Sequence, residues 1–190
     1  MRIIKTNLGK VNEEVVKTCF NVIKAGGVVV IPTDTIYGFV CDATNSNAVE
    51  KTFRIKKRSF SKPMGIFIGD IKMAKEYVKM KKDQQELLKT TNTFVFKSKK
   101  QLPYQGNNLG VRLPRSYLIL EIIKKLGSPL LQTSANLSGE ETSNNIKDII
   151  KTFSTQEIKP DLIIDAGDLG RKKASKVIDL TKKESRVIRN

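Results

Sequence analysis

One stretch of the sequence decides the fold class: residues 26–38, which read Gly26-Gly27-Val28-Val29-Val30-Ile31-Pro32-Thr33-Asp34-Thr35-Ile36-Tyr37-Gly38. The apolar run before Pro32 predicts a short strand that is buried on both faces of a sheet. A helix precedes it, because one helical face carries Val15, Val16, Cys19, Phe20 and Ile23. Asn12 is the expected N-cap of that helix, and the two glycines end it. A helix that leads into a buried strand is typical of an α/β protein.

The alternation of helices and strands continues along the chain. Apolar periodicity predicts further helices at 46–57, 71–78, 84–88, 118–126 and 146–153, the first of them capped by Asn45 or Ser46. It predicts further strands at 65–68, 93–96, 109–113, 130–133, 162–164, 177–180 and 186–188. No internal repeat or linker interrupts this order. We therefore expect one α/β domain over residues 1–190, with a mixed sheet covered by helices.

The composition excludes several classes of chemistry. The sequence has no histidine, which removes Ser-His-Asp and Cys-His triads and His-ligated zinc. Cys19 and Cys41 have no CxxC spacing, so we expect two buried free thiols and no metal site. Neither a GxxxxGK[ST] loop nor a GxGxxG fingerprint after a strand is present. No run reaches the length of a membrane span, and we expect a cytoplasmic protein with no membrane contact.

The charge balance leaves two interpretations open. The chain has 35 basic and 19 acidic residues, for a net charge of +16. Such an excess can mark a surface for nucleic acid or a site for an anionic ligand. It can equally reflect solvated faces that are rich in lysine, which are spread along this chain. Only eight of the basic residues are arginines.

Three segments could carry chemistry. Lys56 and Arg58 flank Lys57 where a helix is expected to fray, and they could meet one phosphate or carboxylate, although a solvated basic helix end is the alternative. The segment 133–139, with Ser134 and Asn136, follows an apolar strand, where α/β sheets place ligands; an ordinary turn is the alternative. The segment 32–38 sets hydroxyl groups beside a carboxylate, which suits recognition of an amino acid.

In this order the segments resemble the YrdC/Sua5 family of threonylcarbamoyl-AMP synthases, in its short form. The matching stretches are residues 26–38, Lys56-Lys57-Arg58, Leu109-Gly110-Val111-Arg112-Leu113-Pro114, residues 133–139, Ser175-Lys176-Val177-Ile178-Asp179-Leu180-Thr181 and Arg189. The resemblance implies an open, twisted α/β sheet with flanking helices and a large basic cavity. It also implies the formation of L-threonylcarbamoyl-adenylate and pyrophosphate from L-threonine, bicarbonate and ATP.

The resemblance implies partners as well. Mg²⁺ would accompany ATP, with no dedicated metal site in the protein. The product would pass to a tRNA threonylcarbamoyl transferase complex for the N6-threonylcarbamoyl modification of adenosine in tRNA. The reaction needs no enzyme nucleophile, since the carbamate of threonine itself attacks the α-phosphorus. It needs positive charge on the triphosphate and on the departing pyrophosphate.

Site residues follow from the resemblance position by position. Lys56 and Arg58 match the KxR pair expected to meet phosphates and carbamate, and Ser134 and Asn136 match the SxN pair near the adenylate. These four are the expected catalytic residues. Threonine contacts are expected from Thr35, Arg112 and Ser175, with Arg112 on the carboxylate. Further ATP contacts are expected from Lys62, Asn108, Asn144 and Arg189.

Several positions depart from the family pattern. Ser59 replaces the usual proline after the KxR pair, Phe67 replaces a threonine-contacting histidine, and Lys89-Thr90-Thr91-Asn92 replaces Trp-Pro-Gly-Pro. The main alternative is therefore a protein that binds tRNA or double-stranded RNA without catalytic turnover, although aromatic residues are only 6%. A carbamoyl-adenylate enzyme of the hydrogenase-maturation type is a third hypothesis, but such chains carry zinc-finger and acylphosphatase parts.

Overall fold

The computed structural model describes residues 1–7, 13–170, 172–182 and 184–189. The helices are α1 (Glu13–Lys24), α2 (Ser46–Ile55), α3 (Ile71–Tyr77), α4 (Tyr117–Leu126) and α5 (Ile146–Ser154), with a 3₁₀ helix at Asp83–Lys89. The strands are β1 (Arg2–Lys5), β2 (Val29–Pro32), β3 (Tyr37–Asp42), β4 (Gly65–Phe67), β5 (Val78–Lys79), β6 (Thr93–Ser98), β7 (Asn108–Arg112), β8 (Leu130–Ser134), β9 (Leu162–Asp165), β10 (Val177–Asp179) and β11 (Arg186–Arg189).

The described strands form one mixed sheet. Their order is β1-β9-β2-β3-β8-β4-β7-β6-β10-β11, and β5 pairs with β6 beside this path. The sheet contains both parallel pairs, such as β2 with β9 and β4 with β7, and antiparallel pairs, such as β3 with β8. The middle of this order brings β3, β8, β4, β7 and β6 side by side, and these strands surround the cavity described below.

Two apolar layers cover the sheet. On one face the core contains side chains of α1 and α4, and on the other it contains side chains of α2, α3 and α5. Strand β2 and the residue before it supply both layers, because Val28 and Val30 face one and Val29 and Ile31 face the other. The predicted strand that is buried on both faces is therefore confirmed, and both Cys19 and Cys41 are buried free thiols.

Most of the predicted helices and strands are present, with shifts at their ends. Asn45 caps α2 by accepting a hydrogen bond from the amide of Ala48, and Gly127 ends α4 at φ 74°. The helix expected at 84–88 is a 3₁₀ helix. The expected N-cap Asn12 lies outside the described residues.

Three strands were not predicted: β1, β3 and β5. The segment 32–38 was expected to end the preceding strand and to offer groups to a ligand, and a hairpin was not expected. In the structure, β2 and β3 form an antiparallel hairpin in which Pro32 pairs with Tyr37. Thr33 holds its turn, because its Oγ1 donates to the carbonyl of Ile36 at 2.7 Å and accepts from the amide of Thr35 at 3.0 Å. The hairpin places Thr35 at the edge of the cavity.

Candidate functional site

A cavity of about 440 Å³ opens at the centre of the sheet. Seven predicted site residues line it: Thr35, Arg58, Asn108, Arg112, Ser134, Ser175 and Arg189. The charged side chains of its described lining are Arg58, Arg112 and Arg189, and that lining contains no aspartate or glutamate. A second groove, of about 610 Å³ beside Lys5, Lys147 and Asp165, contains none of the predicted site residues. The arginine-lined cavity is therefore the candidate site.

The end of α2 places Arg58 at this cavity. Lys57 adopts φ 50°, a left-handed conformation that only a small fraction of non-glycine residues adopt. The amide of Lys57 donates to Arg54 O, and the amide of Arg58 donates to Phe53 O, which together form a Schellman motif. The chain thus turns sharply after Lys56, so Lys56 enters the core while Arg58 reaches the cavity.

The ammonium group of Lys56 is held by the segment 134–136. Nζ donates to Ser134 O at 2.6 Å, to Asn136 O at 2.7 Å and to Asn136 Oδ1 at 3.1 Å. Lys56 is 1% exposed and is not part of the cavity lining. Burial and then the charge of Arg58 lower the pKa of Lys56 to about 7, while its three oxygen acceptors favour the charged form. In this structure Lys56 organises the loop that carries Ser134 and Asn136.

The SxN pair is connected internally. Ser134 Oγ donates to Asn136 Oδ1 at 2.6 Å, and Asn136 Nδ2 donates to Glu140 O at 2.6 Å. Ser134 lines the cavity, whereas Asn136 lies behind it. We call Lys56, Arg58, Ser134 and Asn136 the Lys56 cluster.

Arg58 keeps hydrogen-bonding capacity for a ligand. Its Nε donates to Lys62 O at 2.7 Å and its Nη2 donates to Pro63 O at 3.2 Å. Among the described residues Nη1 has no hydrogen-bond partner, and the side chain is only half-buried. Burial and then the charge of Arg189 lower the pKa of Arg58, and burial and then Arg112 lower that of Arg189. The three arginines are therefore close enough to repel one another, which an anionic ligand would relieve.

Arg112 already has a carboxylate partner. Its Nη2 donates to Asp34 Oδ2 at 2.7 Å and its Nη1 donates to Thr35 Oγ1 at 3.0 Å. The Arg112 side chain is 2% exposed and the Asp34 side chain is 12% exposed. Arg112 Nε and Asp34 Oδ1 are buried and have no partner among the described residues. The guanidinium lies 5.7 Å from the ring centroid of Phe67.

Ser175 lies against a residue that the sequence did not single out. Thr93 Oγ1 and Ser175 Oγ are 3.0 Å apart, and both side chains are buried at the cavity. Arg189 Nη2 donates to Ser175 O at 2.9 Å, so strand β11 is fastened to the same point. We call Asp34, Thr35, Arg112 and Ser175 the Arg112 cluster.

The structure brings the remaining predicted residues together less completely. Asn108 lines the cavity, but Lys62 is exposed and reaches the site only through its carbonyl on Arg58. Asn144 Nδ2 donates to Gly170 O and Lys172 O, both at 2.8 Å. In this structure Asn144 therefore joins the segment before α5 to the segment that contains Gly170 and Lys172. Sequence reasoning missed the role of Asp34 as partner of Arg112, and Thr93 and Gln132 in the lining. No local pattern joins Asp34 to a residue 78 positions away.

One protein family matches most of this chain. The family model Sua5_yciO_yrdC, described as "Telomere recombination", matches residues 21–190. The chain belongs to the Sua5/YciO/YrdC family, which confirms the resemblance of the sequence.

Three relatives show the range of this family. "Threonylcarbamoyl-AMP synthase" of Bos taurus is 32% identical over 157 residues, which are 78% of this chain and 55% of that protein. The chain thus spans about half the length of the curated relatives that it matches first. The structure of Pyrococcus abyssi Sua5 complexed with L-threonine superposes with a TM-score of 0.89 and 26% identity, over 100% of this chain and 57% of that one.

The third relative is Escherichia coli YciO, whose name records no activity. Its crystal structure superposes with a TM-score of 0.84 and 27% identity, over 100% of this chain and 94% of that one. The YrdC-like fold, with a mixed sheet and flanking helices, is therefore confirmed. Among the described residues, no helix has the length and hydropathy needed to cross a bilayer.

Proposed function

We propose that the chain is an L-threonylcarbamoyladenylate synthase, which forms threonylcarbamoyl-AMP and pyrophosphate from L-threonine, bicarbonate and ATP. One observation carries this proposal: three arginines line one cavity whose described lining holds no carboxylate. Such a site matches an anion with several charges, as a triphosphate is. The threonine in the Pyrococcus abyssi structure and the name of the Bos taurus relative supply the second substrate and the product.

Two steps make up the proposed reaction. The amine of threonine combines with bicarbonate to give a carbamate and water. A carbamate oxygen then attacks the α-phosphorus of ATP, and the bond to the bridging oxygen breaks as pyrophosphate departs. No covalent bond to the enzyme forms, so the absence of histidine from the sequence is no obstacle.

The residues divide this work by charge. Arg58 and Arg189 would hold the phosphates and stabilise the charge that develops on pyrophosphate. Arg112 would bind the carboxylate of threonine through Nε, which has no partner among the described residues, while Thr35 and Ser175 offer hydroxyl groups. Lys56 would fix Ser134 beside the adenylate, with Asn136 behind it.

Mg²⁺ would arrive with ATP and neutralise part of the triphosphate charge. The described residues contain no cluster of three or more carboxylate, thiol or imidazole side chains that could hold a metal. In the proposed reaction, phosphate oxygens and water would coordinate the ion. We further propose that the product is passed on for tRNA modification in the cytoplasm.

The experiment is pyrophosphate release by the purified chain with ATP and Mg²⁺, omitting L-threonine or bicarbonate in turn. We expect release only when all three substrates are present. Release without threonine would indicate plain ATP hydrolysis. If no combination gives release while RNA binding is tight and falls steeply with salt, the chain is an RNA-binding protein instead.

A further inference from the structure

Two loops at the cavity meet through aromatic rings. Loop 58–63 carries Arg58, and loop 99–107 leads into Asn108. The rings of Phe60 and Tyr104 stack with centroids 4.9 Å apart and an interplanar angle of 28°. Both also pack on Phe53 of α2, at 5.0 and 5.8 Å. We call Phe53, Phe60 and Tyr104 the aromatic clasp.

The clasp combines a buried base with two half-exposed rings. Phe53 is fully buried, whereas Phe60 is 47% and Tyr104 is 38% exposed. Phe60 and Tyr104 therefore add little to the core, and their main contacts are with each other and with α2. Large aromatic rings on opposing loops at a site commonly fix loop position, because each has only two side-chain torsions to restrict.

Backbone strain occurs within one of these loops and directly before the other. Tyr104 has φ 56° and Lys57, just before Arg58, has φ 50°; the described chain has no other non-glycine residues at positive φ. A bulky residue stays in this region only when its surroundings hold it there, and such residues cluster at functional sites. Tyr104 Oη donates to Glu50 Oε2 at 2.9 Å, which adds a second attachment to α2.

The clasp reaches Arg58 through the turn that follows it. The guanidinium is oriented by the carbonyls of Lys62 and Pro63. Those carbonyls are placed by a turn in which the amide of Lys62 donates to Ser59 O at 3.0 Å. Phe60 lies within that turn, and its ring packs on Phe53 of α2, beyond the main-chain bond from the amide of Arg58 to Phe53 O. Within the turn, Ser59 Oγ lies 2.8 Å from Ser61 Oγ and accepts from the amide of Ser61 at 3.3 Å, so these short local bonds and the ring of Phe60 hold the turn together.

We propose that the aromatic clasp positions Arg58 and the loop of Asn108 for ATP. Phe60 and Tyr104 are positioning residues, which act on the nucleotide through these two loops. The expected change in KM for ATP rests on the proposed function. The expected change in loop mobility rests only on the contact between the two loops.

The kinetic test compares Phe60→Ala with Tyr117→Ala, an exposed aromatic residue outside the site. Loss of two ring contacts predicts a rise of about 10-fold in KM for ATP in Phe60→Ala, with KM for threonine nearly unchanged and a melting temperature that falls by only a few degrees. Tyr117→Ala should match the wild type, and Phe60→Tyr should restore KM. An equal rise in both KM values, or none, would overturn the proposal.

The second variant tests whether a stiffer turn can replace the ring contacts of Phe60. The amide of Ser59 donates no main-chain hydrogen bond among the described residues, so proline can stand there without breaking one. Adding Ser59→Pro to Phe60→Ala should recover at least half of the lost affinity for ATP. Failure to recover any, with the protein folded, would mean that the turn does not need stiffening.

Hydrogen–deuterium exchange of the whole chain separates this inference from the proposed function. In Phe60→Ala, exchange should increase both in residues 58–63 and in residues 99–107, since the clasp joins them. This readout needs no turnover. Faster exchange confined to residues 58–63 would contradict a clasp even in an active enzyme, while an inactive wild type with coupled exchange would sink only the proposed function.

Discussion

The two halves of the cavity, the Lys56 cluster and the Arg112 cluster, hold their cationic side chains with different kinds of partner. In the Lys56 cluster, Lys56 and Arg58 are held by main-chain carbonyls and by an amide oxygen, and neither has a carboxylate partner within the described chain. In the Arg112 cluster, a nearly buried arginine is neutralised by Asp34 at 2.7 Å. Carbonyl groups orient a cation and leave its charge available, whereas a carboxylate cancels most of that charge. The first half suits phosphates, and the second suits an amino acid that carries both charges.

The largest effect that we expect comes from removing either cation of the Lys56 cluster. Arg58→Ala or Lys56→Ala should abolish adenylate formation. The turnover should fall by about 100-fold or more, which is the typical effect of removing an electrostatic stabiliser. The variants should differ in stability: Arg58→Ala changes it little, whereas Lys56→Ala leaves oxygens of Ser134 and Asn136 unpaired, at about 2 to 3 kcal/mol. Activity assays and denaturant unfolding check both.

Arg54→Ala is the matched control for Arg58. Arg54 lies on the exposed side of α2, paired with Glu50, so its loss should leave turnover unchanged. Near-wild-type turnover of Arg58→Ala would remove the Lys56 cluster from the site.

The next effect sharpens the comparison at the Arg112 cluster. Asp34→Asn leaves a buried arginine without its counter-charge, which costs about 3 kcal/mol of stability. We also expect KM for threonine to rise by about 10-fold, because Arg112 loses the partner that orients it. KM for ATP should stay constant, since the phosphates are proposed to bind at the other half. Steady-state kinetics in both substrates measures the split.

Asp70→Asn is the control, since asparagine can replace the N-cap of α3 at an exposed position. A rise in KM for ATP, equal to that for threonine, would show that the two halves of the cavity are not separate.

A smaller effect should appear with pH at Lys56. Its pKa is about 7 in the folded chain and that of an ordinary lysine is about 10.4, so between these values the unfolded state binds more protons. Stability should therefore rise with pH in this window, by about 2 kcal/mol from pH 7 to 9 relative to Lys56→Met. Below pH 7 the slope from this group should vanish. If the unfolding free energies of the wild type and Lys56→Met change with pH in parallel, the oxygen acceptors keep Lys56 charged.

The smallest effect concerns the backbone that separates the two cations. Lys57→Gly relieves a left-handed conformation at the end of α2, where glycine is the usual residue. We expect a gain of about 0.5 to 1 kcal/mol in unfolding free energy and no change in turnover. A loss of stability would show that the Lys57 side chain contributes contacts that the strain argument omits.

Sequence reasoning recovered the parts of the fold that local chemistry determines. The burial of Val29 and Val30 on opposite faces of the sheet follows from an apolar run, and the start of α2 after Asn45 follows from its capping side chain. Strand β3 was missed because the return of the chain after Thr33 depends on a side-chain hydrogen bond in the turn. Strand β1 pairs with β9, and no pattern in four residues reveals a partner so distant.

The sequence indicated several positions that line the cavity but not how their side chains are arranged. Family motifs indicated Arg58, Arg112 and Ser134, which all line the cavity. The spacing of Lys56 and Arg58 suggested that both aim at one spot, whereas the left-handed Lys57 sends Lys56 into the core. The pairing of Asp34 with Arg112 depends on the sheet order, which the sequence alone does not supply.

The central claim is that this cavity joins threonine, bicarbonate and ATP in one product. The most direct test is the mass spectrum of the nucleotide product formed from ATP, L-threonine and ¹³C-bicarbonate by the wild-type chain. The account predicts a threonylcarbamoyl-adenylate that is one mass unit heavier than the product from ordinary bicarbonate, together with pyrophosphate. Recovery of ATP unchanged, or of nucleotides that carry neither threonine nor the label, would contradict it.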